Sequence, residues 1–168
     1  MSRYYIDFSL KNGLGSPSAS LYLTGCDKPV KCKGCHNYEL QGIRDTEFNI
    51  DEIYKELKEE VRKGQELFNL RYVSYLGGEP LAPYNREITK IISKKIKKEF
   101  RVKNILYTWR TLEKIKEENL NGYIEYMDYG ILGEYRDELR DTDRIPSSKN
   151  QYIYNFNTNK REKDIILK

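Results

Sequence analysis

The chemistry-bearing feature of this sequence is a short segment that holds all three of its cysteines, Cys26, Cys32 and Cys35. An odd number of cysteines within ten residues argues against a disulfide framework and favours metal or redox chemistry. A four-iron–four-sulfur cluster usually takes four cysteine ligands. Three thiolates on one loop would therefore leave one iron free to bind a small molecule.

Two other interpretations of the cysteine loop are a zinc site and a set of unrelated thiols. Structural zinc prefers four protein ligands, which usually come from separate segments of the chain. The nearby fourth candidate is His36, the one histidine of the sequence, and it directly follows Cys35. Because two adjacent side chains would struggle to reach one ion, the spacing favours an iron–sulfur cluster, while zinc and inert thiols stay open.

The turn Gly77-Gly78-Glu79-Pro80 is a second candidate site, because it directly follows an apolar run. The two glycines remove side chains where the backbone could approach a ligand, and they permit positive φ. Backbone carbonyls and the Glu79 carboxylate would suit the ammonium group of a ligand. Taken alone, a Gly-Gly turn after a strand needs no function beyond turning the chain.

Apolar periodicity predicts the elements that would position these residues. A strand opens the chain and further strands are predicted over residues 20–24, 72–76, 104–107, 123–132 and 151–156. A helix capped by Asn49 and stopped by Gly64 is predicted, with a second over 88–96 and a third capped by Thr111. The polar end from Asn157 is expected to fray.

Strands that alternate with helices predict an α/β fold with mainly parallel strands in a single domain. The strands are too few for a complete eight-unit barrel, which takes about 250 residues, so a small open partial (β/α) barrel is expected. Residues 1–156 would form this domain and residues 157–168 a polar C-terminal tail. Because the carboxyl ends of parallel strands lie side by side, the cysteine loop and the Gly-Gly turn should share one rim.

Composition argues against several classes of protein. The chain has 168 residues, of which 33% are charged, and its mean hydropathy is −0.81. A net charge of +4, with both signs mixed along the chain, is a weak argument for nucleic-acid binding. No apolar run approaches the roughly 20 residues of a membrane helix, and the N-terminus lacks the apolar stretch of a secretory signal. We therefore expect a cytoplasmic protein with no nucleic-acid or membrane partner.

Taken in order, these motifs resemble those of radical SAM enzymes, and more narrowly those of the activating component of anaerobic ribonucleotide reductase. The matching segments are Asn-Gly-Leu-Gly at 12–15, Cys-Lys-Gly-Cys-His-Asn at 32–37 and Gly-Gly-Glu-Pro at 77–80, and Tyr-Thr-Trp-Arg at 107–110 is a partial match. Partial matches follow at 128–135 and 147–151. The resemblance covers roughly residues 5–155, which one short motif could not do.

The sequence departs from that family pattern in three places. Five residues, 27–31, separate the first two cysteines, whereas the family has three; loop closure tolerates the extra length cheaply. The family's Thr-Gly-Tyr turn is Thr108-Trp109-Arg110 here. Leu132 replaces the second aspartate of the closing segment.

The resemblance implies that Cys26, Cys32 and Cys35 hold three irons of a 4Fe-4S cluster, whose fourth iron binds the amino and carboxyl groups of S-adenosylmethionine. One electron from a donor such as flavodoxin or ferredoxin would break the S–C5′ bond to give methionine and a 5′-deoxyadenosyl radical. That radical would take a hydrogen atom from a glycine of the glycyl-radical subunit of an anaerobic ribonucleotide reductase. A homodimer is also expected.

The same resemblance implies a set of residues that contact S-adenosylmethionine, and no catalytic side chain beyond the cluster ligands. Glu79 and the glycine backbone before it would hold the methionyl ammonium, His36 would lie near the adenine, and Thr108 and Trp109 would contact the ribose or adenine. The full set is Gly34, His36, Asn37, Gly77, Gly78, Glu79, Pro80, Thr108 and Trp109. His36 as an exposed loop residue and Trp109 as a packing aromatic are the plainer interpretations.

Two alternative functions remain open from the sequence. One is a radical SAM enzyme that acts on another peptide or on a small molecule, because the cysteine spacing departs from the subfamily. The other is a non-catalytic zinc-binding module, which iron and sulfide analysis would distinguish from an iron–sulfur protein.

Overall fold

The computed structural model describes residues 3–43 and 47–167 and shows a mixed α/β fold around one large sheet. Its strands are β1 (Tyr4–Gly13), β2 (Ser16–Leu23), β3 (Tyr72–Gly77), β4 (Lys103–Thr108), β5 (Tyr129–Leu132), β6 (Arg144–Ile145), β7 (Tyr152–Asn155), β8 (Lys160–Glu162) and β9 (Ile165–Ile166). Its helices are α1 (Ile50–Phe68), α2 (Arg86–Glu99) and α3 (Leu112–Glu117).

The large sheet has the strand order β1-β2-β3-β4-β5-β7-β8, and β6 pairs separately with β9. Its central strands, β2 to β5, are parallel, and the flanking pairs are antiparallel. The prediction of mainly parallel strands is therefore wrong, since among the described strands four pairings are antiparallel and three are parallel. The partial barrel stays a prediction, because the strand order shows which strands pair but not how strongly the sheet curves.

Short connections explain the antiparallel pairs. Only Leu14 and Gly15 separate β1 from β2, and both have positive φ. A connection of two residues can join only antiparallel strands, whereas a parallel pair needs a long crossover. The periodicity of an isolated strand carries no information about the direction of its neighbour.

The first helix begins as predicted, since the Asn49 side chain accepts the Asp51 N–H at 2.8 Å. The predicted stop at Gly64 is wrong: α1 continues to Phe68 and ends at Asn69, which is left-handed at φ 52°. Gly64 lies inside the helix, where a Cβ atom would approach Leu70 Cδ1 to 2.4 Å. This glycine makes room for packing.

The core lies between the sheet and the first two helices. Fully buried side chains from both layers form it: Leu21, Val73, Leu106, Ile53, Leu57, Val61, Ile92 and Ile96. Burying an aliphatic side chain of this size contributes about 1.5–3 kcal/mol. This packing holds the central strands in register, with Leu23 opposite Gly77 and Thr108 opposite Leu132. The carboxyl ends of all four central strands therefore meet at one rim.

The C-terminal segment does not fray as predicted. β8 pairs with β7, β9 pairs with β6, and the Leu167 N–H donates to the Asp143 carbonyl at 2.8 Å. The predicted strand over 123–132 is shorter in the structure, where only β5 is extended. None of the helices in the described ranges is long and apolar enough to span a bilayer.

Candidate functional site

The cysteine loop rises from the end of β2 and is closed at its base by backbone hydrogen bonds. The Gly25 N–H donates to the Leu40 carbonyl at 2.7 Å, and the Cys26 N–H donates to the Gln41 carbonyl at 2.8 Å. The Glu79 N–H in turn donates to the Gly25 carbonyl at 2.7 Å. The loop is thus tied both to its own far end and to the Gly-Gly turn, and the predicted shared rim is confirmed.

The two glycines of that turn make room for the chain's own backbone. A Cβ atom on Gly77 would lie 2.5 Å from the Leu23 carbonyl oxygen, and one on Gly78 would lie 2.3 Å from that of Gly25 and 2.7 Å from that of Leu40. Gly77 also has a φ of 116°. The glycines are therefore required for the close approach of the cysteine loop, a reason that the sequence interpretation did not consider.

The three cysteines are half-buried and line one cavity of about 500 Å³. Burial raises the pKa of the Cys26 and Cys32 thiols, so iron must displace their protons when it binds. Within the described ranges, no three His, Cys, Asp or Glu side chains are grouped closely enough to hold a single metal ion. The donor set, three thiols facing one cavity in a chain without a fourth cysteine, fits a 4Fe-4S cluster.

Most of the residues predicted for the site line this cavity. The predicted residues that line it are Cys26, Cys32, Cys35, His36, Asn37, Gly77, Gly78, Glu79, Thr108 and Trp109. Gly34 and Pro80 are not among the lining residues. Gly34 turns the loop at φ 70° beside Asp137, and the Pro80 carbonyl accepts the Thr89 hydroxyl at 2.9 Å.

Glu79 is only 1% exposed, and its carboxylate is surrounded by donors of the protein itself. The N–H groups of Leu81 and Trp109 donate to it at 2.8 and 3.0 Å, the Thr108 hydroxyl donates at 2.8 Å, and Arg110 Nη1 lies 3.5 Å away. Burial, opposed by Arg110 and these hydrogen bonds, raises the pKa of Glu79 to about 7. This side chain ties the turn after β3 to the end of β4.

His36 and Tyr135 form an aromatic pair at the wall of the cavity. Their ring centroids lie 4.7 Å apart with a tilt of 51°. His36 is exposed, and both residues line the cavity. Tyr135 was predicted only as part of a partial family match, and nothing in the local sequence indicated that it would meet His36.

Asp27 and Arg110 do not line the cavity, but they join two parts of its wall through a contact that the sequence did not indicate. Arg110 is 1% exposed, and its guanidinium contacts the Asp27 carboxylate through both Nη atoms, with Nη1 at 3.1 Å. The Trp109 indole N–H donates to the same carboxylate at 3.2 Å. Asp27 directly follows the first cysteine, so these contacts join the cysteine loop to the end of β4. No spacing rule could have found partners this far apart in the sequence.

Further parts of the cavity wall come from the end of β1 and from the C-terminal region. The Asn12 side chain donates to Ser20 Oγ and Tyr22 Oη, and its carbonyl accepts the Tyr107 hydroxyl at 2.7 Å. From the C-terminal region come Thr142, Arg144, Ile145, Pro146, Ser147, Gln151 and Leu167. The Asn-Gly-Leu-Gly match therefore contributes Asn12 to the site, and Leu167 comes from the segment that was predicted to be a polar tail.

Comparison with known proteins agrees with this site. A family model described as a 4Fe-4S single cluster domain matches residues 11–154, a span that contains all three cysteines. The anaerobic ribonucleoside-triphosphate reductase-activating protein of Enterobacteria phage T4 is 30% identical over 135 residues, covering 80% of this chain and 81% of the phage protein. The protein of the same name from Haemophilus influenzae is 27% identical over 158 residues, covering 90% and 96%. The chain therefore belongs to the iron–sulfur family of anaerobic ribonucleoside-triphosphate reductase-activating proteins.

Proposed function

We propose that this protein is a radical SAM enzyme that activates an anaerobic ribonucleotide reductase. The observation that carries the proposal is that all three cysteines of the sequence line one cavity. A 4Fe-4S cluster held in this way keeps one iron without a protein ligand. The names of the two relatives support a reductase as the partner.

Cys26, Cys32 and Cys35 would each hold one iron of the cluster, and S-adenosylmethionine would bind at the iron that has no protein ligand. When bound, the cluster supplies one electron, taken from a reduced flavodoxin or ferredoxin, that converts S-adenosylmethionine to methionine and a 5′-deoxyadenosyl radical. That radical would take a hydrogen atom from a glycine Cα of the partner, leaving 5′-deoxyadenosine and a glycyl radical. The protein's own residues position these groups and exclude water.

The lining residues suggest how the protein would hold S-adenosylmethionine. Because the Glu79 carboxylate already accepts from three groups of this chain, we assign the methionyl ammonium mainly to the backbone of Gly77 and Gly78. The His36–Tyr135 pair offers a flat surface for the adenine, since aromatic side chains stack on bases. Thr108, Trp109 and Asn37 would contact the remaining parts of the nucleoside, while Gly34 and Pro80 shape the loop and the turn.

The partner and the setting complete the proposal. The cysteine loop exposes the large apolar side chains of Val30 and Tyr38, so we expect a large partner to cover the loop and complete the site. Residues 1–156 would form the activase-like domain, as a partial barrel, and a homodimer is proposed. A cytoplasmic location would keep the three cysteines reduced and available for iron.

The proposal is tested on anaerobically reconstituted protein. The protein is reduced, S-adenosylmethionine is added, and 5′-deoxyadenosine is measured by chromatography, with Cys32→Ala as the control. Cleavage that depends on Cys32 supports radical SAM chemistry. Zinc in place of iron, without cleavage, would overturn it and favour a zinc-binding module.

The target is tested by adding a purified anaerobic ribonucleotide reductase to the same reaction. A glycyl radical detected on the reductase by electron paramagnetic resonance (EPR) supports the activase function. Cleavage of S-adenosylmethionine without a glycyl radical would instead favour the alternative of another peptide or small-molecule target. An intact cluster that gives neither cleavage nor a radical with the reductase present would overturn the proposal.

A further inference from the structure

We propose that Asp27 and Arg110 form a positioning pair that holds the first cluster ligand, Cys26, in place. This inference rests on the proposed cluster. It concerns two residues that have no place in the mechanism above and whose contacts join separate parts of the site. Asp27 is covalently next to Cys26, and Arg110 follows the end of β4.

Arg110 is a rigid anchor on the body of the protein. Its side chain is 1% exposed, and its Nε donates to Glu118 Oε2 at 2.6 Å. Its backbone is held as well, because the Gly133 N–H donates to the Arg110 carbonyl at 3.1 Å and the Arg110 N–H donates to Thr108 Oγ1 at 3.1 Å. Because both its backbone and its side chain are held by these hydrogen bonds, the Arg110 guanidinium can hold the Asp27 carboxylate in one position.

Asp27 joins the segment between the first two cysteines to a fully buried partner, whereas the next residue, Lys28, forms an ion pair with the more exposed Glu134 at 2.9 Å. Both oxygens of Asp27 meet Arg110, and Oδ1 also accepts the Trp109 indole N–H at 3.2 Å. By contrast, Val30 is 75% exposed, and the Lys31 ammonium donates only to carbonyls of the same loop. The five-residue spacer is thus attached to the buried Arg110 at its first residue and to Glu134 at its second.

The geometry has a direct consequence for the cluster. A longer spacer allows the position of Cys26 to vary more relative to Cys32. A fixed Asp27 restricts that variation, because it is the residue next to Cys26. Both partners lie where the sequence departs from the family pattern, Asp27 in the longer spacer and Arg110 in the altered turn after β4. Contacts that orient metal ligands typically contribute 10–100-fold in metal affinity or activity.

Asp27→Ala and Glu118→Ala are the matched variants that test the pair. Each removes one carboxylate from the same buried guanidinium, but only Asp27 is next to a cysteine. Asp27→Asn keeps an acceptor for Trp109 and Arg110 and serves as the conservative variant. The readouts on reconstituted holoprotein are the rate of iron release to a chelator, the EPR spectrum of the reduced cluster with and without S-adenosylmethionine, and the melting temperature.

We expect Asp27→Ala to release iron about tenfold faster and to change the EPR spectrum of the reduced cluster. Glu118→Ala should keep the wild-type rate of iron release and the wild-type EPR spectrum, even if its melting temperature falls as far as that of Asp27→Ala. Asp27→Asn should show a release rate and a spectrum close to those of the wild type. Equal release rates and unchanged spectra in Asp27→Ala and Glu118→Ala would overturn the positioning role. If Asp27→Ala does not fold, Arg110→Lys takes its place, because an ammonium group cannot contact both oxygens of Asp27 as the guanidinium does. A wild-type release rate and spectrum in Arg110→Lys would overturn the positioning role equally. Wild-type protein that takes up no iron would overturn the proposed function as well.

Discussion

The Cβ position of Gly78 lies 2.3 Å from the carbonyl oxygen of Gly25, so the Gly-Gly turn and the residue before the first cysteine are in backbone contact. No side chain fits between them. The contact forms because parallel pairing sets Leu23 opposite Gly77, which brings the residues beyond both strand ends together. The position of the cysteine loop therefore depends on a residue more than fifty positions away in the sequence.

Gly78→Ala should displace the cysteine loop. The added methyl group overlaps the Gly25 and Leu40 carbonyls, and overpacking of this kind costs about 1–3 kcal/mol. We expect a lower free energy of unfolding and less iron bound after reconstitution. Gly42→Ala is the matched control, because nothing lies within 4 Å of its Cβ position. Equal iron content in the two variants would contradict this role of Gly78.

Glu79 should make the stability of the apoprotein depend on pH. Burial raises its pKa from 4.5 to about 7, so between these values the folded protein holds a proton that the unfolded chain has released. The contribution of Glu79 to the free energy of unfolding is then full below pH 4.5 and falls as the pH rises to 7, by up to about 3 kcal/mol.

Urea denaturation of the wild type and of Glu79→Gln at about pH 5 and about pH 8 measures this contribution. The variant has no proton to lose, so its stability relative to the wild type should improve as the pH rises. Parallel pH dependence in the two proteins would show that Glu79 keeps the same protonation state in the folded and unfolded chains.

His36→Ala should weaken the binding of S-adenosylmethionine and leave the iron content unchanged. Loss of one stacking ring costs about 1–3 kcal/mol, which is at least about a fivefold rise in Kd. His36→Phe keeps a ring beside Tyr135 and should bind nearly as well as the wild type. If Phe binds as weakly as Ala, stacking is not what His36 contributes.

Ile165→Ala should destabilise the protein, because Ile165 pairs with Ile145 and packs against a second, smaller apolar cluster. That cluster consists of Ile105, Ile131 and Ile153. We expect a loss of about 1 kcal/mol or more in denaturant unfolding. Ile166→Ala is the control: its side chain is 64% exposed, and a surface substitution changes stability by less than about 0.5 kcal/mol. Equal effects would indicate that the C-terminal strand does not contribute to the core.

Local patterns in the sequence were enough for several features. The Asn49 cap depends on a hydrogen bond to a residue two positions away, and the strands 72–76 and 104–107 follow from short apolar runs. The cysteine segment and the Gly-Gly-Glu-Pro turn were found by residue type and spacing alone. Most of the residues predicted for the site do line one cavity, because strand ends in parallel register necessarily meet at one rim.

Other features depend on partners that are distant in the sequence, and only the tertiary structure decided them. The direction of the flanking strands, the place of Gly64 inside α1 against Leu70, and the pairing of the C-terminal strands all come from packing between elements.

The contact between Asp27 and Arg110 is the clearest case, since the two residues are 83 positions apart in the sequence and no local pattern links them. The sequence by itself determined which residues can bind iron, because that depends on thiol chemistry and local spacing. The tertiary structure decided what holds them in place, because a buried ion pair exists only when the sheet brings its two ends together.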